Sequence, residues 1–227
     1  MSESVKAYYD RIGQEYDDDR FGSSSYGQYI HTQECAFLDR WLPEYPMVKT
    51  LDMGCGTGRF MKRATDGVDF SEGMLAEARK KFPDKQFHVA GISETGLPDT
   101  SFKKVFSMHV LMHLDTETTI GFLHEAHRLL ETEGILVVDF PSQKRRSFGQ
   151  RKVSTDHWHG SNAHTVDSVL QAGNGKWRLV KSRGILFLPI HRFPKKLRPY
   201  LRWLDDLMCR SFLKNYASYL IIVLEKQ

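Results

Sequence analysis

The segment Leu51-Asp-Met-Gly-Cys-Gly-Thr-Gly-Arg-Phe60 limits the fold more than any other stretch of this chain. An apolar run, Val48 to Met53, reads as a strand that ends in Gly54, Gly56 and Gly58. Glycine permits positive φ and lets backbone come close to a ligand. A helix opening after such a loop offers oriented N–H groups to an anion. An acid, Asp69, follows eleven residues after Gly58, at the end of a second short strand over Val68–Phe70. A dinucleotide fingerprint reads G-x-G-x-x-G with its acid about 20 residues on. Here the third glycine is displaced and the acid comes early. The loop thus suits an adenosine-bearing cofactor other than a dinucleotide, or a tight turn with no ligand.

The rest of the chain alternates. Ser71–Phe82 reads as a helix with Ser71 as N-cap and Glu72 in its first turn. Gln86–Ala90 and Lys104–His109 read as strands, and Thr116–Leu130 as a helix with Phe122, Leu123, Ala126, Leu129 and Leu130 on one stripe. Gly134–Phe140 is nearly all apolar, as in a strand buried on both faces. Such alternation implies a parallel sheet with crossover helices. Before it, Val5–Leu42 looks helical: Tyr8, Tyr9, Ile12 and Tyr16 share one face, and a second helix spans about Gln28–Trp41 until Pro43 stops it. After it come a polar loop (Pro141–His164), a short helix (Thr165–Ala172), a strand within Arg178–Leu188, a Pro-punctuated helical insertion (Pro189–Lys214) and a last strand (Tyr216–Leu224). The 227 residues, 41% hydrophobic and 26% charged, suit one soluble globular domain. Its expected parts are a helical cap (1–47), a cofactor-binding core (48–140) and a substrate side (141–227).

The pieces LDMGCGTGRF, GVDFSEGMLAEARKKF, LPDTSFKKVFSMHVLMHL and HEAHRLLETEGILVVDF resemble, in order, the class I S-adenosylmethionine-dependent methyltransferases, in the branch that includes small-molecule and quinone methyltransferases. The resemblance covers about Lys49–Phe140. It implies a Rossmann-like, mostly parallel seven-stranded sheet with helices on both faces and the last strand antiparallel. It also implies S-adenosylmethionine as cofactor and S-adenosylhomocysteine as product. Asp52, Gly54, Cys55, Gly56 and Gly58 would then serve the methionine end, and Asp69 would accept from both ribose hydroxyls. Phe70 and Met74 would pack the adenine, Ile92 and Ser93 would meet it from the loop after the third strand, and His109 would lie beneath the methionine arm. Tyr16 would reach over the cofactor. Many relatives carry an acid where Ile92 stands, so adenine would depend here on backbone groups or Ser93. Each has a structural alternative: Asp69 as a cap of the following helix, Met74 as core filler, Cys55 as a small loop residue.

The acceptor would sit beyond the carboxyl ends of the strands. Two segments expected there are basic: Lys144, Arg145, Arg146, Arg151 and Lys152, then Arg192, Lys195, Lys196, Arg198 and Arg202. They point to an anionic acceptor, to an anionic membrane surface, or to two solvated loops. Phe193, Leu197, Tyr200, Leu201 and Leu204 interleave with the second set, as in a hydrophobic lid or interfacial helix. His113 is the foremost general-base candidate, with a backbone-bonding role as its rival; His157, His159 and His164 follow. Between His109 and His113 there is no carboxylate, so the expectation is no metal. The expected reaction is methyl transfer to oxygen or nitrogen of a small or lipid-like acceptor. The rivals are an RNA methyltransferase, for which no RNA-binding module is visible, and a non-catalytic cofactor-binding partner protein. Cys35, Cys55 and Cys209 have no paired spacing, and the first residues have no apolar leader core, so a reducing, cytoplasmic setting is expected.

The early acid has a structural consequence. Thirteen residues separate Gly54 from Val68, near the minimum of about 10–12 for a whole crossover. A helix over Arg59–Ala64 would rise only about 9 Å, against about 17 Å for a five-residue strand. It cannot cover its side of the sheet, so the N-terminal helices or a partner chain should do so.

Overall fold

The structure, a computed structural model, describes residues 25–148, 162–194 and 196–227. Its elements run α1 (Ser25–Trp41), β1 (Thr50–Met53), β2 (Asp66–Asp69), α2 (Glu72–Lys81), β3 (Gln86–Val89), β4 (Phe102–Ser107), α3 (Thr116–Leu129), β5 (Leu130–Pro141), α4 (Gln143–Phe148), α5 (Val166–Ala172), β6 (Trp177–Ile185), α6 (Arg198–Arg210) and β7 (Tyr219–Lys226). The seven strands form one sheet in the order β3-β2-β1-β4-β5-β7-β6. Pairs from β3 through β5 are parallel, and β7 lies antiparallel between β5 and β6. The sheet reverses direction of growth at β1/β4, so loops after those strands meet at one edge, where ligands of such sheets bind.

Two apolar layers sandwich the sheet. On one face, Phe122, Leu123, Ala126 and Leu129 of α3 and Val169 of α5 pack on Leu51, Val105, Leu136 and Val138. On the other, Ile30, Phe37 and Leu38 of α1 pack with Leu42, Phe60, Met61, Phe106, Val137, Ile221 and Val223. The expected Arg59–Ala64 helix is absent: the crossover holds only a 3₁₀ turn at Met61–Arg63. α1 covers the exposed side instead. Its C-terminal carbonyls are taken by cations of the core: Arg63 donates to the Leu42 carbonyl at 2.7 Å, and Lys104 to that of Trp41 at 2.6 Å. Four otherwise orphaned helix-end acceptors are the usual problem at such a terminus, and these two cations answer part of it.

Two further expectations change. The first residues after Pro141 are not a loop but the short helix α4, whose start is fastened by Ser142 and His164 backbone pairing. β5 begins earlier than Gly134: Leu130 already pairs with Phe102, and a register shift precedes the Lys104–Ile135 pair. Tyr8, Tyr9, Ile12, Tyr16, His157 and His159 lie outside the described residues. No helix among the described residues is long and apolar enough to cross a membrane.

Candidate functional site

At the end of β1 the chain turns through three glycines with φ of +83° (Gly54), +54° (Gly56) and +88° (Gly58). A Cβ on Gly54 would lie 2.6 Å from Val110 Cγ2, because the loop after β4 packs against it. Gly56 has nothing within 4 Å of where a Cβ would stand, so its backbone faces open space. The N–H groups of Gly54 and Cys55 both donate to the Val68 carbonyl, at 2.7 and 3.0 Å, which ties the loop to the end of β2. The Cys55 side chain turns down onto Gly67, and burial pushes its thiol well above the usual range, with the Asp52 and Asp69 charges adding to the rise. It is packing rather than a reactive group.

Asp69 ends β2 with a buried carboxylate. Its Oδ2 accepts from the Gly56 N–H at 2.9 Å and its Oδ1 from the Ser71 N–H at 2.9 Å. Ser71 then caps α2 by accepting from the Met74 N–H at 3.2 Å. Asp52 lies beneath this loop, buried in β1; burial, then the Asp69 charge, raise its carboxyl well above the normal range and favour the neutral acid. Phe70 is half-buried and Met74 buried at the start of α2. The Ala90 N–H donates to the Asp69 carbonyl at 3.1 Å, bringing the β3 loop alongside. In that loop Ile92 is buried in the α3-side core. Ser93 is exposed, and its hydroxyl donates to the Thr118 carbonyl at 3.4 Å.

His109 follows β4 and is the centre of a cluster that sequence reading missed. It holds a left-handed backbone, φ +61°, which is uncommon for a non-glycine residue. Its N–H donates to Asp139 Oδ1 at 2.5 Å. Its Nε2 lies 2.6 Å from Glu34 Oε1 and its Nδ1 3.5 Å from Asp139 Oδ2. Arg59, directly after the glycine loop, reaches the other Glu34 oxygen at 2.6 Å and His31 Nδ1 at 3.0 Å. Burial alone would lower the imidazole's pKa, but the Asp139 and Glu34 carboxylates outweigh it and raise it. Glu34, despite complete burial, is held down at about 2 by His109 and Arg59. Burial lifts Asp139, opposed by His109.

One ligand atom each from Glu34, His109 and Asp139 lies within 4.8 Å of the others, a spacing a metal ion could use. The sequence expectation of no metal rested on the absence of a carboxylate between His109 and His113. The fold supplies two from α1 and β5 instead. Within the described residues the cluster balances itself: Arg59 takes one Glu34 oxygen, and both imidazole nitrogens face carboxylates. His109 is thus a tie between α1, β4 and β5. The clues were present, though short: Asp139 interrupts an apolar strand, and Gln33-Glu34 interrupts the apolar stripe of α1.

His113 stands on the 3₁₀ turn Leu111–His113 after β4, half-buried. Asn162 brackets this turn, its N–H donating to the Met112 carbonyl at 3.2 Å and its side chain to that of Leu114. His164 packs edge-on to Phe140, and burial lowers its pKa. Arg145 reaches the Tyr216 carbonyl and lies 6.0 Å over Phe187, whereas Arg202 lies 5.2 Å over Tyr29 on α1. Arg151, Lys152 and Lys195 lie outside the described residues. A cleft of about 220 Å³ beside α4 and α5 brings Lys144, His164 and Lys214 together.

Residues 51–138 match the family model of a methyltransferase domain. The chain is 28% identical over 138 residues to a probable S-adenosylmethionine-dependent methyltransferase of Mycobacterium tuberculosis, covering 58% of this chain and 50% of that one. It is 30% identical over 131 residues to a trans-aconitate 2-methyltransferase of Acidovorax sp., covering 52% and 48%. The chain thus spans about half the length of the curated relatives it matches. In fold it is similar to a Thermotoga maritima S-adenosylmethionine-dependent methyltransferase, a possible histamine N-methyltransferase, with a TM-score of 0.67 at 18% identity over 97% of this chain and 99% of that one. With the G-x-G-x-G loop closing β1, Asp69 closing β2 and β7 inserted antiparallel, residues 51–138 match a methyltransferase domain, and the chain has the fold of the S-adenosylmethionine-dependent methyltransferases it is similar to.

Proposed function

We propose that this protein transfers a methyl group from S-adenosylmethionine to oxygen or nitrogen of a small, anionic or lipid-like acceptor. The observation that carries the reading is the Asp69–Gly56 pair: a buried carboxylate at the end of β2, clamped beside a glycine that faces open space. That donor set fits the cofactor. Asp69 would accept from the ribose diol, and the Gly54–Gly58 backbone would admit the methionine arm. Phe70 and Met74 would bound the adenine from the α2 side. Ser93, already bonded to α3, would leave adenine to backbone groups of its loop and the wall formed by Ile92. Asp52 lies in β1 just before the cradle, where burial and then the Asp69 charge raise its carboxyl well above the usual range.

When bound, the cofactor supplies a methyl on a sulfonium, already a good leaving group. The protein's task is alignment and exclusion of water. His113, on the turn that Asn162 brackets, would accept the acceptor's proton where one must leave. His109 would act by holding α1 against β4 and β5. The anionic part of the reading is supported by the trans-aconitate methyltransferase relatives and by Lys144 and Lys214 at one cleft. The test is incubation of the protein with labelled S-adenosylmethionine and a panel of di- and tricarboxylates, fatty acids and phenols. Label in an extractable small molecule is expected. Label confined to RNA or protein fractions contradicts the reading, as does bound cofactor with no transfer to any extract.

A further inference from the structure

α6 is packed inside out. Its inward face carries Asp205 and Cys209, both fully buried. Asp205 accepts from the Tyr29 hydroxyl at 2.9 Å, from Gln33 at 2.7 Å and from the Leu188 N–H at 2.6 Å. Its outward face carries Tyr200, Trp203, Leu204 and Leu207, at the i, i+3, i+4, i+7 spacing of a continuous stripe. Tyr200 is 77% exposed and Trp203 70%, with Phe212, just beyond the helix, at 85%. Ordinary amphipathic helices bury that stripe, so this one is a surface to be covered.

Its charge tells what covers it. The insertion 189–214 contains only two acids, Asp205 and Asp206. Asp205 points inward, and Asp206 is paired with Arg183 and with Arg210. Arg192 and Lys196 are exposed and make no ion pair among the described residues. A second copy docked face to face would set these cations against their own kind. A negatively charged bilayer surface suits both parts. Tyr and Trp prefer the headgroup level, the Leu side chains reach below it, and the cations meet anionic lipid. We infer that the α6 stripe is a docking surface for an anionic lipid membrane. Because the insertion leaves β6 and enters β7 at the carboxyl edge of the parallel strands, docking would set that edge close to the bilayer.

Flotation of the full chain with phosphatidylcholine vesicles, with and without phosphatidylserine, tests this without cofactor or acceptor. It is therefore decided separately from the methyl-transfer reading. Binding only to phosphatidylserine vesicles, weakened by salt, is expected. Trp203→Ser with Leu207→Ser should lower binding by at least about tenfold. Arg192→Ser and Lys196→Ser should each lower it about fivefold. All four positions are exposed, so melting temperatures should hold, and the wild-type lipid and salt arms decide the matter if one variant fails to fold. No flotation with either vesicle overturns the inference. So does equal flotation with both, undiminished binding by the folded Trp203/Leu207 variant, or a concentration-dependent dimer that this variant abolishes without lipid involvement.

Discussion

On one face of the sheet, α3 and α5 bury Phe122, Leu123 and Val169 as crossover helices do, and a buried acid of α3 itself, Glu125, is held by Thr95 and Arg128. On the other face the crossover between β1 and β2 is a single 3₁₀ turn, and α1, from before the sheet, stands in its place. That face is held by charges inside it: Glu34 with Arg59 and His109, Arg63 with the Leu42 carbonyl, Asp205 with Tyr29 and Gln33. A crossover helix is tethered by its own short connections. A helix recruited from elsewhere needs directional contacts to fix its register. Apolar packing alone, being non-directional, would allow it to slide.

The comparison can be broken by pH. Phe122→Ala should cost about 3–5 kcal/mol at any pH where the fold persists. Glu34→Ala should cost a similar amount near neutrality, about 3–5 kcal/mol, by leaving Arg59 and His109 short of a partner in a buried site. Its contribution should be pH-dependent on both sides. The Glu34 pKa falls from an ordinary 4.5 to about 2, so its stabilisation is complete above 4.5 and is lost as pH falls towards 2. The His109 pKa is raised above 6.5, so that part is complete below 6.5 and is lost as pH climbs through the raised value. Thermal melts of wild type and both variants across pH check this. A Glu34 penalty as flat with pH as that of Phe122 would erase the distinction.

Smaller effects sharpen it. Gly54→Ala should cost about 1–3 kcal/mol, since it combines a left-handed backbone with a 2.6 Å approach to Val110, read by denaturant midpoints. Ser71→Ala should cost about 1 kcal/mol through loss of the α2 cap. Asp39→Ala should cost less than about 1 kcal/mol: although Asp39 pairs with Arg63 at 2.6 Å, it is largely exposed, and Arg63 keeps the Leu42 carbonyl. A large Asp39 effect would mean that the second face depends on its rim.

How much of this was legible follows from range. The glycine loop, the Ser71 cap, the α3 stripe and the strands were readable because each is set by neighbours within a few residues. The stunted β2 and the need for a substitute cover also followed from counting residues between Gly54 and Val68. The cluster at His109 was not assembled from sequence: Asp139 and Glu34 each interrupt an apolar pattern, but they come from β5 and α1, and nothing local says that the two meet at one histidine. α6 was legible only in part. Its apolar stripe suits a lid or an interfacial helix from the sequence, but the buried side is chosen by Asp205, whose partners Tyr29 and Gln33 lie 176 and 172 residues away.

The central claim is that Asp69 and the glycine loop hold S-adenosylmethionine, and calorimetric titration of wild type and Asp69→Ala tests it most directly. Saturable one-site binding by wild type is expected, with affinity lowered about 10- to 100-fold in the variant through loss of charge-assisted hydrogen bonds. Unchanged affinity in a folded Asp69→Ala variant, or no binding by wild type, would contradict the account.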